Sequence, residues 1–215
     1  MKTIAICDDH KIVREGLKQI ISSFTNFEII ADVESGEALF HSLRSKTPDI
    51  IILDVSLPGR SGLEVLKQVK ALRPQISVLV LSMYPEDQFA IRMLKAGASG
   101  YLHKDSEPGI LLEALNVISK GGEYLSPKIT QLLFKEMSGN GESLPHKSLS
   151  DREYEVLLYI GEGKTISEIG DRLSLSVKTI STYRTRILEK MNLDNNSDLV
   201  KYILLHELSA GQTNA

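Results

Sequence analysis

Cysteine and long apolar runs are scarce in this 215-residue sequence. The single cysteine, Cys7, cannot form an internal disulfide, and it leaves no cysteine cluster for a structural zinc ion. No apolar run approaches the roughly 18–20 residues that a membrane-spanning helix needs, so we expect no membrane partner. The N-terminus, MKTIAICDDH, meets acidic residues too early for a secretory signal. Together these absences predict a cytoplasmic protein.

A strong excess of charge of one sign is also absent. The formal net charge is −3, which by itself argues against a nucleic-acid partner. With 42% apolar and 25% charged residues, the composition is that of a globular protein, long enough for one large domain or two ordinary ones. The segment 176–191 nevertheless carries four basic side chains against one acidic side chain. A locally basic helix can contact phosphates whatever the overall charge.

The first 120 residues alternate short apolar runs with amphipathic segments, a pattern that predicts five β-α pairs. Predicted strands cover 3–7, 28–33, 50–53, 78–81 and 100–102, and predicted helices cover 11–24, 36–44, 62–72, 86–96 and 108–120. The run at 50–53 is apolar without alternation, which suits a strand that is covered on both faces. We therefore predict an α/β fold with a doubly wound, five-stranded parallel sheet.

The chain changes character after residue 122. We predict a linker over 123–147 with a short helix at 127–137, a small all-α domain over 148–208 and a frayed tail over 209–215. Ser150 and Thr165 each begin a capping-box pattern, and Asn196 is the expected cap of the last helix. A short helix, a tight turn and a longer helix over 177–191 form a helix-turn-helix pattern.

Polar residues follow the predicted strands at the points where the strands end. They are Asp8 and Asp9 after the first strand, Asp54 after the third, Ser82 after the fourth and Lys104 after the fifth. In a doubly wound sheet these carboxyl ends share one edge, so the three carboxylates should meet there. Such a cluster favours a hard divalent cation, Mg²⁺, and leaves an oxygen of Asp54 to attack phosphorus. Lys104 would neutralise charge on the phosphoryl oxygens, and Ser82 could donate a hydrogen bond to them.

Residues 1–122 resemble the receiver domain of two-component response regulators, which has a flavodoxin-like (CheY-like) fold. The matching pieces are Asp8-Asp9, the strand ending at Asp54 with Leu57-Pro58-Gly59 and Gly62, Ser82, the stretch 95–102 and Lys104. The resemblance implies that the carbonyl oxygen of Ser56 joins Asp8, Asp9 and Asp54 as a metal ligand, and that Ser82 and Tyr101 form the switch. Many members have a cis proline after the lysine, whereas this chain has Asp105, so we do not expect a cis peptide there.

Residues 148–208 resemble the LuxR-type DNA-binding domain, and with the receiver they make the chain similar to the NarL/FixJ subfamily. The candidate DNA contacts on the longer helix are Lys178, Thr179, Ser181, Thr182, Tyr183, Arg184, Thr185, Arg186 and Lys190. A solvent-exposed polar face would give the same pattern without DNA. In the family the last helix supports dimerisation, for which the candidates are Leu199, Val200, Ile203 and Leu204; packing within the domain is the alternative.

The five histidines lack the spacing of metal ligands, and we interpret them as surface or loop residues. His10, beside the acidic pair, could tune the site.

We therefore expect a response regulator that a sensor histidine kinase phosphorylates on Asp54, with double-stranded DNA and RNA polymerase as partners and a homodimer as the phosphorylated or DNA-bound form. We do not expect an enzyme, although the chain could assist its own dephosphorylation. The first alternative, a phosphohydrolase of the aspartyl-phosphate kind, usually has a second acid where this chain has Ser56. The second is a receiver that binds proteins without phosphorylation. Five β-α pairs exclude an autoinducer-sensing regulator.

Overall fold

The computed structural model describes residues 1–137, 144–206 and 208, apart from the side chain of Gln88. The chain divides into two compact units, Met1–Leu133 and Phe134–Ala215. The part of the predicted linker at 138–143 and the predicted frayed tail at 209–215 lie outside the described residues. The predicted domain boundaries stay predictions.

The N-terminal unit is a five-stranded parallel sheet with the strand order β2-β1-β3-β4-β5. Its strands are β1 (Lys2–Cys7), β2 (Phe27–Val33), β3 (Ile50–Asp54), β4 (Ser77–Ser82) and β5 (Gly100–His103). Its helices are α1 (Lys11–Ser22), α2 (Gly36–Ser42), α3 (Gly62–Leu72), α4 (Glu86–Lys95) and α5 (Pro108–Ser119). The next helix in the chain, α6 (Pro127–Met137), includes the boundary between the units at Leu133. This order confirms the doubly wound α/β fold that the sequence predicts.

The central strand shows why the chain folds this way. All five residues of β3 are buried, as expected for a strand between two helical layers. The register pairs Cys7 with Leu53, Asp54 with Leu81, and Ser82 with His103. Because the strands are parallel and in this register, their carboxyl ends lie along one edge. The strand order changes direction between β1 and β3, and ligands of doubly wound sheets bind beside such a switch point.

The C-terminal unit is helical. A 3-10 helix (Pro145–Ser148) precedes α7 (Asp151–Gly161), α8 (Ile166–Leu173), α9 (Val177–Met191) and α10 (Asn196–Leu205). Both predicted capping boxes form, and in each the Ser150 or Thr165 side chain accepts a hydrogen bond from the third helical amide. The turn from α8 into α9 passes through Ser174 in the left-handed region at φ 55°. This short helix, turn and longer helix confirm the predicted helix-turn-helix.

Local details differ from the sequence predictions. The cap of α10 is Asn195, not Asn196, because the Asn195 side chain accepts a hydrogen bond from the third helical amide. The 3-10 helix was not predicted. Val177, the first residue of α9, is apolar yet 53% exposed. Across the described ranges, no helix combines the length and apolar character that spanning a bilayer requires.

His146 was wrongly interpreted as a surface or loop histidine. It is buried, its Nδ1 lies 2.9 Å from the hydroxyl of Tyr202, and its ring lies against those of Tyr154 and His206. The imidazole thus joins the 3-10 helix to α7 and α10. It serves as a core residue of the C-terminal unit.

Candidate functional site

The carboxyl edge of the sheet brings together the predicted acidic residues and the lysine. Asp8 follows β1, Asp54 ends β3 and Lys104 follows β5, so three separate strands position them. The Lys104 ammonium lies 2.8 Å from Oδ2 of Asp54 and 2.8 Å from Oδ2 of Asp8. The exposed fractions of these side chains are 7% for Lys104, 2% for Asp8 and 1% for Asp54. One cation therefore bridges two carboxylates in a site nearly closed to water.

Burial and charge act in opposite directions on these groups. Burial raises the pKa of Asp54 above its usual range, while the charge of Lys104 opposes that rise. For Lys104, burial lowers the pKa, but the attraction of Asp54 and Asp8 outweighs it and leaves the pKa raised. The other oxygen of Asp54, Oδ1, accepts a hydrogen bond of 3.2 Å from the Ser56 amide. These contacts fix the orientation of the Asp54 carboxylate.

The same edge of the sheet suits a divalent cation. Asp8, Asp9, His10 and Asp54 each offer one ligand atom, and these four atoms lie within 4.8 Å of one another. The cluster holds three carboxylates, and the Lys104 ammonium lies 2.8 Å from two of them, those of Asp8 and Asp54. Oδ2 of Asp8 is buried, and its partner is the Lys104 ammonium at 2.8 Å. A hard cation with oxygen ligands, such as Mg²⁺, fits this donor set.

His10, which precedes α1, contacts the acidic pair directly. Its Nδ1 is 2.7 Å from Oδ1 of Asp9 and 3.4 Å from Oδ1 of Asp8. Its backbone amide donates a hydrogen bond of 2.8 Å to Oδ1 of Asp8. The sequence signal for this placement was the adjacency of His10 to the acidic pair.

The predicted switch residues, Ser82 and Tyr101, both form hydrogen bonds with the backbone of Tyr84. The sequence analysis did not identify Tyr84 as part of the site. The amide of Tyr84 donates to Oγ of Ser82 at 3.0 Å, and the Tyr101 hydroxyl donates to the carbonyl oxygen of Tyr84 at 2.7 Å. Both Ser82 and Tyr101 are 0% exposed. Burial raises the pKa of the Tyr101 phenol, and a hydrogen bond with Ser82 opposes the rise. The loop after β4 therefore connects the acidic site to the aromatic ring on β5.

In the C-terminal unit, most predicted DNA contacts lie on the exposed face of α9. Lys178, Ser181, Thr182, Thr185, Arg186 and Lys190 are exposed, whereas Thr179, Tyr183 and Arg184 are half-buried. The opposite face buries Ile180, Ile187 and Met191. An amphipathic helix thus presents hydroxyl and basic side chains on one continuous surface.

Two of the basic side chains on α9 are bound within their own unit. Lys190 donates a hydrogen bond of 2.6 Å to Glu153, a side chain that is 3% exposed. Arg184 donates from Nε to Oδ1 of Asn196 at 2.5 Å, next to the start of α10. These contacts join α9 to α7 and α10. Lys190 and Arg184 therefore position the helix, whatever they contact outside the unit.

The predicted dimerisation ridge divides into two pairs. Leu199 and Ile203 are 0% exposed inside the unit, so we correct their prediction: they are core residues and have no surface left for a second chain. Leu204 is 66% exposed and Val200 is half-buried. Only these two of the four predicted residues remain candidates for contact with another copy.

Comparison with known proteins agrees with both units. Residues 4–116 match the family model described as response regulator receiver domain, and residues 147–203 match that of bacterial regulatory proteins, luxR family. The chain is 33% identical over 207 residues to the response regulator GacA of Pseudomonas protegens, covering 96% of this chain and 97% of that protein. It is 35% identical over 213 residues to the transcriptional regulatory protein DegU of Brevibacillus brevis, covering 92% and 90%.

Solved structures give the same result. RcsB of Salmonella enterica serovar Typhimurium, bound to a promoter in the presence of the phosphomimetic BeF₃⁻, matches with a TM-score of 0.67 and 28% identity over 94% of this chain and 98% of that chain. A structure of two RcsB dimers bound to two parallel DNAs matches with a TM-score of 0.59 and 27% identity, again over 94% and 98%. The chain therefore belongs to the NarL/FixJ-type response regulators, which join a receiver domain to a LuxR-type helix-turn-helix domain.

Proposed function

We propose that this chain is a DNA-binding transcription regulator that a sensor histidine kinase controls by phosphorylating Asp54. One observation carries the proposal: the Lys104 ammonium lies 2.8 Å from carboxylate oxygens of both Asp8 and Asp54 in a buried site. This places a fixed positive charge beside a carboxylate that can act as a nucleophile. Positive charge at this position stabilises the charge that spreads over a transferring phosphoryl group.

The phosphoryl transfer is a displacement at phosphorus. An oxygen of Asp54 forms a bond to the phosphorus of a kinase phosphohistidine while the phosphorus–nitrogen bond breaks. The bonding electron pair stays on the imidazole nitrogen of the kinase, which then takes up a proton. Asp8, Asp9, Asp54 and the carbonyl oxygen of Ser56 would hold Mg²⁺, which when bound supplies further positive charge to the phosphoryl oxygens. Water attacking phosphorus in the same site would break the bond between phosphorus and the Asp54 oxygen, which releases inorganic phosphate and returns Asp54 to its carboxylate form.

Ser82 and Tyr101 would report the phosphorylated state. The Ser82 hydroxyl can donate to a phosphoryl oxygen on Asp54, and that bond competes with the hydrogen bond that it makes to Tyr101. Because Tyr101 donates to the carbonyl oxygen of Tyr84, a shift of the loop after β4 changes the packing of the Tyr101 ring. A modification at Asp54 is thereby coupled to the surface around β5.

The exposed face of α9 would read DNA. Lys178 and Arg186 can contact phosphates, and the hydroxyls of Ser181, Thr182 and Thr185 can contact phosphates or base edges in the major groove. Two copies would bind two half-sites, an arrangement supported by the dimers in the RcsB structures on DNA. RNA polymerase would be the further partner of the DNA-bound dimer.

A phosphorylation assay with a small phosphodonor and Mg²⁺ tests the receiver half of the proposal. We expect mass spectrometry of the full chain to show one added phosphoryl group, and we expect Asp54→Asn to abolish it. Asp49→Asn is the matched control, because Asp49 lies just before β3, at the opposite end of this strand from Asp54. It should leave the labelling unchanged. Undiminished labelling of Asp54→Asn, or steady release of phosphate from small phosphoesters as in a phosphohydrolase, would contradict the assignment.

Fluorescence anisotropy on promoter DNA tests the other half. Phosphorylated chain should bind more tightly than unphosphorylated chain, and the difference should vanish in Asp54→Asn. Arg186→Ala should reduce the slope of log affinity against log salt by about 0.9, the value for one lost phosphate contact. Lys120→Ala, at the exposed end of α5, is the control and should leave the slope unchanged. Equal DNA affinity of the phosphorylated and unphosphorylated chains would favour the alternative in which the receiver binds proteins without phosphorylation.

A further inference from the structure

We infer that His103 is a positioning residue: its imidazole anchors the loop after β4 and thereby sets how readily Ser82 contacts a phosphoryl group on Asp54. The inference deepens the proposed function and rests on it, because this loop follows directly from the switch residue Ser82. It concerns the partly exposed side of the loop, whereas Tyr101 contacts the loop from the buried side.

The contacts of the His103 ring carry the first step. His103 is the last residue of β5 and pairs with Ser82 in the sheet register. Its Nε2 lies 2.9 Å from the carbonyl oxygen of Met83, and because a carbonyl oxygen only accepts, Nε2 carries the proton of this bond. Nδ1 accepts a hydrogen bond of 3.2 Å from the Asp105 amide. The neutral ring is therefore held in the tautomer that is protonated at Nε2.

The bond to the loop does not depend on the charge of the imidazole. Oδ2 of Asp105 lies 3.6 Å from Nδ1 on a side chain that is 70% exposed, so a protonated ring can pair with this carboxylate. Both nitrogens of an imidazolium donate. Nε2 of His103 therefore donates to the Met83 carbonyl oxygen in the neutral and in the charged form.

The burial of the loop explains why such an anchor matters. The Met83 side chain is 54% exposed, so packing holds this residue weakly, whereas its neighbours Ser82 and Tyr84 are 0% and 3% exposed. The Tyr101 hydroxyl holds the next carbonyl group, that of Tyr84, at 2.7 Å. Two side chains of β5, those of His103 and Tyr101, thus hold successive peptide groups of the loop.

The anchor favours one of two arrangements of Ser82. The Ser82 hydroxyl has a single hydrogen, which it donates either to Tyr101 or to a phosphoryl oxygen on Asp54. By fixing the Met83 carbonyl group, His103 stabilises the arrangement in which Ser82 bonds to Tyr101. A contact made in only one of two arrangements shifts the equilibrium between them by its own free energy. Loss of this bond should therefore favour the phosphoryl contact by about two- to tenfold, the range for one hydrogen bond.

Titration of the full chain with the phosphomimetic BeF₃⁻ at saturating Mg²⁺, followed by the amide NMR resonances of β4 and β5, tests the inference. His103→Phe keeps an aromatic ring but removes the donor, and it should lower the half-saturating BeF₃⁻ concentration by about two- to tenfold. His103→Gln has an amide group that can donate to Met83, so it should keep the wild-type value. His41→Phe, at an exposed imidazole on α2, is the matched control and should also keep it.

The direction of the change separates anchoring from structural damage. Damage to the fold lowers the BeF₃⁻ affinity and the urea midpoint together, whereas loss of the anchor raises the BeF₃⁻ affinity. In the wild-type chain, the ring nitrogen resonances of His103 at neutral pH should show a protonated Nε2.

Three results would overturn the inference alone, provided that the wild type binds BeF₃⁻ and accepts a phosphoryl group. They are a His103→Phe chain that binds BeF₃⁻ no more tightly than the wild type, a His103→Gln chain that gains as much as His103→Phe, and an Nε2 without a proton. A wild-type chain that neither binds BeF₃⁻ nor accepts a phosphoryl group would instead overturn the proposed function.

Discussion

Replacement of Lys104 by methionine tests the electrostatic centre of the receiver. The Lys104 ammonium lies 2.8 Å from each of two carboxylates, and no side chain of the three is more than 7% exposed. At that distance each pair attracts by about 6 kcal/mol with an effective dielectric constant of about 20, before the cost of desolvation. Methionine keeps most of the apolar stem but leaves Asp8 and Asp54 buried without their cation.

The expected loss of stability is about 3–5 kcal/mol, the usual cost of removing one partner from a buried ion pair. Lys2→Met is a matched control, because Lys2 lies at the same 2.8 Å from Asp49. The side chains of that pair are 47% and 37% exposed, so we expect a loss of only about 0–1 kcal/mol. Amide hydrogen exchange in β3, at neutral pH with a chelator present, gives the free energy of opening of the N-terminal unit.

Mg²⁺ should then restore part of the stability of Lys104→Met. A cation that binds only the folded state at a hundredfold excess over its dissociation constant adds about 2.7 kcal/mol. Two uncompensated carboxylates should bind Mg²⁺ more tightly than the wild-type site does, so rescue should begin at a lower concentration. A loss below about 1 kcal/mol, equal to that of Lys2→Met and insensitive to Mg²⁺, would refute the reasoning.

Three further predictions concern other contacts. Hydrogen bonds from Lys2 and Thr3 lower the pKa of Asp49 to about 2. The stabilising effect of the Asp49 carboxylate should therefore be complete above about pH 4 and disappear as the pH falls to about 2. The urea midpoints of the wild type and Asp49→Asn should converge over that range. In Gly62→Ala the new Cβ would lie 2.1 Å from the carbonyl oxygen of Asp54, so we expect a loss of at least about 1–3 kcal/mol in urea unfolding. Lys190→Met should cost about 1–3 kcal/mol, because Glu153 is buried whereas Lys190 is 41% exposed, and should barely change the salt slope of DNA binding.

Each of these has an internal control. Asp49→Asn that follows the wild-type pH curve down to pH 2 would contradict the lowered pKa. Gly16→Ala, where a Cβ meets no atom within 4 Å, should be neutral or stabilising, and an equal loss at both glycines would remove the steric argument. Arg186→Ala is the comparison for Lys190→Met. An equal fall in the salt slope of DNA binding would show that Lys190 contacts a DNA phosphate instead of pairing with Glu153.

Local patterns in the sequence were enough for the architecture and for most of the acidic site. The apolar run ending at Asp54 and the β-α alternation predict a parallel sheet, and the rule for parallel strands then places Asp8, Asp54 and Lys104 at one edge. Helix ends were less exact: α1 ends at Ser22 and α2 at Ser42, each two residues earlier than predicted. Amphipathic periodicity decays gradually, whereas a helix ends where its capping contacts form.

Contacts between residues far apart in sequence were decided by tertiary structure alone. Glu153 and Lys190 are 37 residues apart, and His146 and Tyr202 are 56 apart, so no local window contains either pair. The same holds for the burial of Leu199 and Ile203, because a helix with two apolar stripes does not specify which one faces its own domain. Periodicity predicts which face of a helix or strand is apolar. Only the packing of elements distant in sequence determines which residue a side chain contacts.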